Sequence, residues 1–271
     1  MSDSEVATKA PESDAIEQQP ELSQDDSKAP ASASLGEHCL TDRPTTGKQP
    51  SGELTKFGNV DVYVSKPADY PNSPGKLLLL LTAGTGVHSV NNQVQADLYA
   101  AEGFVVIMPD QFSGDPAPNT RAATEPDPNP SLIEQVKLRA VETVKSFMVD
   151  MWLARQTPEK VLPIIHQVLD YAKDEYADAV AYGGGVYAAG YCFGARYVIM
   201  LAGDRADPEL AGQARKDEEE GLVSQGGPLI KAGAAAHATL VTRADLRGIV
   251  APLTLICVGK QMSRRQWHRT E

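Results

Sequence analysis

The feature that most constrains this chain is a cysteine between two glycines, in the segment Gly190–Gly194 that reads Gly-Tyr-Cys-Phe-Gly. The apolar residues before it, from Val186, indicate a buried strand, and those after it, up to Leu201, indicate an apolar helix. A side chain on such a sharp turn sits in strained backbone, and the flanking positions must be almost free of side chains so that strand and helix can approach closely. Because the N-terminus of the helix points at Cys192 and favours the thiolate, the pattern predicts a nucleophilic cysteine.

The spacing G-x-C-x-G is the cysteine version of the nucleophile elbow of α/β-hydrolases. In that architecture the amide after the nucleophile donates to the oxyanion, and a second amide comes from the loop after a central strand. We expect the Phe193 amide to be the first donor and an amide near Thr85, within Ala83–Gly86, to be the second; a plain tight turn is the alternative interpretation of that loop. A cysteine-phosphatase loop is excluded, because it requires Arg at the position of Val198.

Strand and helix patterns alternate along the chain. The alternating apolar residues around Gly58-Asn59 predict an antiparallel hairpin at a sheet edge. The other predicted elements are strands over Lys76–Thr82, Phe104–Met108, Ala232–Leu240 and Leu253–Val258, and helices over Asn91–Ala101, from Ser131 to about Leu153 with a break, and from Thr157. This rhythm predicts a mostly parallel α/β sheet flanked by helices, with sites at the carboxyl ends of the strands.

The amino-acid composition argues against several classes of protein. With 271 residues and 42% hydrophobic content the chain can bury one substantial core, and its net charge of −11 disfavours nucleic acid. It contains no apolar run long enough for a membrane span and no signal-peptide pattern. The three cysteines, Cys39, Cys192 and Cys257, are widely spaced, which argues against a disulfide framework and is typical of a reducing cytosol. We therefore expect a cytoplasmic protein with no nucleic-acid or membrane partner, and no metal or organic cofactor, because no cluster has ligand spacing.

Three segments resemble the dienelactone hydrolase family: Met151–Glu159, Pro109–Asp115 and Gly190–Arg196. The segment Asn91–Asp97 is similar to the fungal branch of that family in particular. The resemblance covers about residues 39–258, and the cysteine segment is its most specific part. It implies an α/β-hydrolase fold and a cysteine that opens a small-molecule lactone or ester through an acyl-enzyme, assisted by a histidine and an aspartate.

The chain departs from the family after the strand predicted over Leu253–Val258. In the family the triad acid follows this strand and the histidine follows one strand later, before a glycine, whereas residues 259–271 contain no Asp and no His-Gly pair. Two histidines follow the cysteine: His237 aligns with a family histidine that is expected to be structural, and His268 lies in the basic end of the chain. Asp245 is expected to be the N-cap of a short turn. The resemblance therefore implies a fold that lacks its last strand and helix.

The sequence predicts three parts: a disordered acidic tail over residues 1–35, whose low apolar content cannot offset chain entropy, a dienelactone-hydrolase-like domain over 36–258, and an irregular basic end over 259–271. The expected function is hydrolysis of carboxylic esters or lactones by Cys192. The alternatives are a catalytically inactive homologue that acts as a binding or regulatory module, and a truncated product without the triad acid and histidine. Arg196 is expected either to pair with a substrate carboxylate or to form a salt bridge on the helix surface.

Overall fold

The structure is a computed structural model in which residues 47–118, 132–204 and 227–257 are described, with the backbone alone for residues 132–140 and 142. The predicted tail over residues 1–35 and the predicted basic end over 259–271 lie outside the described residues, as do Cys39 and His268.

The described strands are β1 (Glu53–Phe57), β2 (Val60–Ser65), β3 (Lys76–Leu81), β4 (Phe104–Pro109), β5 (Tyr187–Tyr191), β6 (Ala232–Ala236) and β7 (Leu253–Ile256). They form one seven-stranded sheet in the order β1-β2-β4-β3-β5-β6-β7. The pairs β1–β2 and β2–β4 are antiparallel, and all other neighbouring pairs are parallel. The predicted α/β class, the mostly parallel sheet and the hairpin at its edge are confirmed.

Strand β3 lies at the centre of the sheet, and its run of leucines is buried on both faces. Leu77, Leu79 and Leu81 belong to one hydrophobic cluster, while Leu78 and Leu80 belong to a second cluster on the opposite face. Alternate residues of a strand point to opposite faces, so a continuous apolar run is what a strand covered on both sides requires.

The described helices are α1 (Val90–Ala101), α2 (Leu132–Arg155), α3 (Pro158–Glu175), α4 (Ala177–Gly183) and α5 (Phe193–Leu201). Two buried residues of α1 share the cluster of Leu78 and Leu80, whereas the buried residues of α3 and most of those of α5 share the cluster of Leu77. Helix α2 runs without interruption, so the predicted break is wrong, and α4 is a short helix that the sequence did not predict. None of the described helices has the length and apolar content needed to cross a lipid bilayer.

Strand β6 ends four residues earlier than predicted, at Ala236 rather than Leu240. The chain leaves the strand conformation at His237, where φ is 51°, and Leu240 has a φ of 58°. Because non-glycine residues rarely adopt positive φ, these two residues mark a tight reversal of the chain rather than a continued strand. The reversal lies at the carboxyl end of β6, next to the end of β5 where the sequence places its candidate nucleophile.

Candidate active site

Cys192 occupies the junction of β5 and α5, as the sequence predicted. Its backbone has φ 50° and ψ −108°, a conformation that L-residues rarely adopt. The residue is buried, with 3% of its surface exposed. The strand therefore turns directly into the helix at this residue, as the elbow segment Gly190–Gly194 requires.

The two glycines of the elbow lie where no side chain fits. A methyl group on Gly190 would come within 2.7 Å of the Gly194 carbonyl oxygen, and one on Gly194 would come within 2.7 Å of the Thr82 carbonyl oxygen. Both neighbours are backbone atoms, which cannot move aside as a flexible side chain does. The glycines thus permit the close approach of β5, α5 and the end of β3.

The elbow is hydrogen-bonded to the end of the central strand. The Gly194 amide donates to the Thr82 carbonyl oxygen at 3.0 Å. The buried side chain of Gln111 donates through its Nε2 to the same oxygen, also at 3.0 Å. Since Leu81 also pairs with Gly190 in the parallel register, the loop after β3 begins beside the elbow.

That loop is a turn held by the first residues of α1. Gly86 has a φ of 75°, and its amide donates to the Ala83 carbonyl oxygen at 3.3 Å. The Asn92 side chain donates through Nδ2 to the Thr85 hydroxyl oxygen at 3.0 Å and to the Gly86 carbonyl oxygen at 2.7 Å. The tight turn is therefore present, and the role of an amide near Thr85 as an oxyanion donor stays a prediction.

Phe193 follows Cys192 as the first residue of α5, so its amide has no acceptor within the helix. Its buried ring packs against Phe112 and Trp152, with centroid distances of 5.2 Å and 5.4 Å, and against Tyr197. Phe112 belongs to the segment Pro109–Asp115 and Trp152 to the segment Met151–Glu159. The three segments singled out in the sequence therefore meet at one buried aromatic cluster beneath the elbow.

The end of β6 and the reversal after it also contact Cys192. The Cys192 amide donates to the Ala236 carbonyl oxygen at 2.9 Å, and the Thr239 amide donates to the Cys192 carbonyl oxygen at 3.2 Å. The Thr239 hydroxyl oxygen lies 3.7 Å from the Cys192 sulfur. Thr239 lies within the strand predicted over Ala232–Leu240, and no local pattern marks it as functional, because only the fold brings it to the cysteine.

Arg196 and Asp245 form a largely buried ion pair beside the elbow helix. The Arg196 Nε atom donates to Asp245 Oδ2 at 2.8 Å, and the two side chains are 15% and 6% exposed. Arg196 thus forms a salt bridge, which is one of the two possibilities expected from the sequence. A role of Arg196 in substrate binding stays a prediction.

Asp245 also closes a short turn, although not in the position expected from the sequence. Its carboxylate accepts from the Thr242 amide at 2.8 Å, while the Asp245 amide donates to the Thr242 hydroxyl oxygen at 3.2 Å. This reciprocal pattern is that of a capping box, in which Thr242 is the capping residue. The expectation that Asp245 is the N-cap is therefore wrong by three positions.

A family model described as the dienelactone hydrolase family matches residues 60–214, which include β2 to α5 and the whole elbow. The chain belongs to the dienelactone hydrolase family. Its mostly parallel sheet, with Cys192 at the sharp turn between β5 and α5, is the α/β-hydrolase fold that the sequence predicted.

Two fungal relatives and one bacterial structure are similar to this family member. It is 35% identical to Hydrolase pyvD of Aspergillus violaceofuscus over 55% of this chain and 49% of the relative. It is 31% identical to Hydrolase tropI of Talaromyces stipitatus over 69% of this chain and 65% of the relative. The chain thus spans about half to two thirds of the length of these relatives. A solved structure described as a dienelactone hydrolase of Klebsiella pneumoniae subsp. pneumoniae has a TM-score of 0.48 and 14% identity, covering 79% of this chain and 87% of that one.

The observed bonding of Cys192 contradicts the expectation that the cysteines are reduced. Cys192 is disulfide-bonded, whereas the exposed Cys257 is free. The expectation of reduced cysteines is therefore wrong for Cys192, because the spacing of cysteines along a chain does not determine which sulfurs meet in the fold. Since the thiolate is the nucleophilic form of cysteine, a nucleophilic role of Cys192 would require this disulfide to be reduced first.

His237 lies directly after β6, and its backbone amide donates to the Ile256 carbonyl oxygen at 2.8 Å. Its side chain is exposed. The backbone contact ties the reversal after β6 to β7, and the structural role expected for this residue stays a prediction.

Proposed function

We propose that this chain is a hydrolase of small carboxylic esters or lactones and that Cys192 is its nucleophile. The observation that carries the proposal is the backbone of Cys192, which holds a buried sulfur at the strand-to-helix turn between two obligatory glycines. Membership of the dienelactone hydrolase family and the similarity to two proteins named as hydrolases support it. A cytoplasmic location without nucleic-acid or membrane partners, as expected from composition, belongs to the same proposal.

The proposed reaction proceeds through an acyl-enzyme. The Cys192 thiolate attacks the carbonyl carbon, a carbon–sulfur bond forms, and the carbonyl electron pair moves to the oxygen. The Phe193 amide and an amide near Thr85 donate to this oxyanion. Collapse of the intermediate expels the alkoxide, which takes up a proton, and leaves a thioester. Water then attacks the thioester with the help of a base, which releases the acid and regenerates the thiolate.

The environment of Cys192 favours the first of these steps. The sulfur lies at the N-terminus of α5, where the helix dipole stabilises negative charge. The elbow amides of Cys192 and Gly194 are bonded to Ala236 and Thr82, so the backbone that presents the sulfur is held from both neighbouring strands. Because the elbow backbone is already held in place, it has to move little when the tetrahedral intermediate forms.

The proposal is tested with p-nitrophenyl acetate and thiol-reduced protein, comparing the wild type with Cys192→Ala. We expect a rapid release of about one equivalent of p-nitrophenolate from the wild type, which marks accumulation of the acyl-enzyme, and none from the variant. Cys257→Ala is the matched control, because it removes the free, exposed thiol, and it should retain the burst. Equal rates of release from the wild type and Cys192→Ala would refute the proposal.

The same progress curves separate the two half-reactions. Release that continues after the burst measures hydrolysis of the thioester, which depends on a base that activates water. The wild type without reductant provides a further comparison, and we expect it to show no burst because the Cys192 sulfur is bonded to another sulfur.

A further inference from the structure

The reversal after β6 places one hydroxyl group against the sulfur of Cys192. The Thr239 hydroxyl oxygen is 3.7 Å from the sulfur, within the range of a hydrogen bond to sulfur. The same residue donates its backbone amide to the Cys192 carbonyl oxygen at 3.2 Å. Two contacts, one from the backbone and one from the side chain, thus join Thr239 to the elbow.

The position of Thr239 is fixed by the residues on both sides of it. His237 and Leu240 both adopt positive φ, and the His237 amide is bonded to the Ile256 carbonyl oxygen. Leu240 packs against the main hydrophobic core, while Ala238 packs against a cluster that includes Ala195 of the elbow helix. A loop held at this many points keeps the hydroxyl beside the sulfur as part of the fold.

A hydroxyl in this position has one chemical use toward a cysteine nucleophile. A neutral hydroxyl does not remove the thiol proton, since the pKa of a protonated hydroxyl is far below that of a thiol. It can donate a hydrogen bond to the thiolate, and a donor to the charged form of a group favours that form. A thiolate that receives such a bond is present in a larger fraction at neutral pH and is a better nucleophile.

We propose that Thr239 is a further catalytic residue, whose hydroxyl donates to the Cys192 thiolate and maintains it at neutral pH. This inference rests on the proposed role of Cys192 as nucleophile. It concerns the protein in which the disulfide bond of Cys192 has been reduced. The contact with the reacting sulfur itself distinguishes Thr239 from residues that hold only the backbone of the elbow.

The test measures the alkylation of Cys192 by iodoacetamide as a function of pH, in the reduced and desalted protein. The thiolate displaces iodide, so the rate follows the ionised fraction of the thiol, and mass spectrometry of the Cys192 peptide separates it from the other cysteines. We expect Thr239→Val, which keeps the shape and removes the hydroxyl, to move the midpoint upward by about one pH unit, which slows alkylation at neutral pH about tenfold. Thr239→Ser, which retains the hydroxyl, should stay close to the wild type.

Two controls show that the effect is local. The exposed Cys257 in the same molecule should be alkylated at the same rate in every variant. Thr254→Val makes the same substitution on the exposed face of β7 and should leave the Cys192 profile unchanged. If Thr239→Val loses its near-ultraviolet circular dichroism, Thr239→Ala, which also lacks the hydroxyl, takes its place in the comparison.

The outcomes separate this inference from the proposed function. A folded Thr239→Val or Thr239→Ala protein with the wild-type alkylation midpoint would overturn the role of Thr239, even if the Cys192-dependent burst is present. A shifted midpoint without any burst from the wild type would instead sustain the hydrogen bond and refute the hydrolase proposal.

Discussion

At the scale of single residues, backbone strain is concentrated at the elbow. Among the described residues, four that are not glycine have positive φ: Ser113, Cys192, His237 and Leu240. One is the candidate nucleophile, and two belong to the reversal that contacts it. A conformation of this kind costs about 1–3 kcal/mol and persists where the surrounding structure over-determines it. Here the hydrogen bonds to Ala236, Thr239 and Thr82 do so.

At Gly194 we expect a single added methyl group to destabilise the fold. Its added methyl group would meet the Thr82 carbonyl oxygen at 2.7 Å, and this backbone atom lies directly after the central strand and accepts a hydrogen bond from the buried Gln111 side chain. We expect Gly194→Ala to lower the free energy of unfolding by about 1–3 kcal/mol, as overpacking does elsewhere, despite the better helix propensity of alanine. Urea unfolding measures this quantity.

Gly183→Ala is the matched control for that substitution. Its methyl group would lie 3.3 Å from a ring carbon of Tyr187, a side chain that can shift. We expect the stability of Gly183→Ala to stay within about 0.5 kcal/mol of the wild type. Equal stabilities of the two variants would contradict the close approach of the elbow to β3.

At the scale of elements, the loop between β3 and α1 is organised by side chains of the helix that follows it. Asn92 bonds Thr85 and Gly86, and the buried Gln93 side chain donates to the Val87 carbonyl oxygen at 3.0 Å. The Ala117 amide donates to the Gly84 carbonyl oxygen at 2.8 Å from the loop after β4. The proposed second oxyanion donor therefore lies in a loop that is fixed from two directions.

Removing the Asn92 side chain should release this loop. In Asn92→Ala both bonds from Nδ2 are lost, so we expect faster amide hydrogen exchange over residues 83–87 and a burst with p-nitrophenyl acetate that is about tenfold slower. Ser89→Ala is the control, because it removes the hydroxyl that caps α1 at the Asn92 amide but leaves both Nδ2 bonds in place. If both variants show the same exchange over residues 83–87, the effect comes from the helix end and not from the Asn92 side chain.

The sequence predicted elements with a strong local signal and missed those that depend on distant contacts. The apolar runs of β3 and β4 and the glycines of the elbow carry their structure in a few consecutive residues. Helix α4 has only seven residues directly after α3, too few for a clear period. The contact of Thr239 with Cys192 and the pairing of Arg196 with Asp245 join residues 47 and 49 positions apart, so no local pattern encodes them.

At the scale of the whole molecule, several tyrosines are buried on both sides of the sheet. Burial raises the pKa of Tyr176 to about 12, and it also raises the pKa values of Tyr63, Tyr191 and Tyr197. Tyr63 lies in the cluster of Leu78, whereas Tyr176 and Tyr197 lie in the cluster of Leu77. In the folded protein these side chains stay neutral at pH values where the unfolded chain has lost their protons.

This difference makes the stability of the fold sensitive to alkaline pH. A raised pKa in the folded state contributes stability that is fully present below the unfolded pKa near 10 and is lost as the pH rises through the folded value. Between about pH 10 and 12 the free energy of unfolding should therefore fall, by about 1.4 kcal/mol per pH unit for each tyrosine that is ionised only in the unfolded chain. Urea unfolding at a series of pH values measures the slope.

Tyr197→Phe isolates one tyrosine from the rest. The Tyr197 hydroxyl is fully buried and has no hydrogen-bond partner among the described residues, so its removal leaves no group unsatisfied. We expect the variant to be at least as stable as the wild type at pH 8, since an unpaired buried hydroxyl costs about 1–3 kcal/mol. Above pH 10 its slope should be shallower by the contribution of one tyrosine, about 1.4 kcal/mol per pH unit. Parallel curves for the wild type and Tyr197→Phe between pH 10 and 11 would show that this hydroxyl ionises alike in the folded and unfolded states and is not buried as the structure describes.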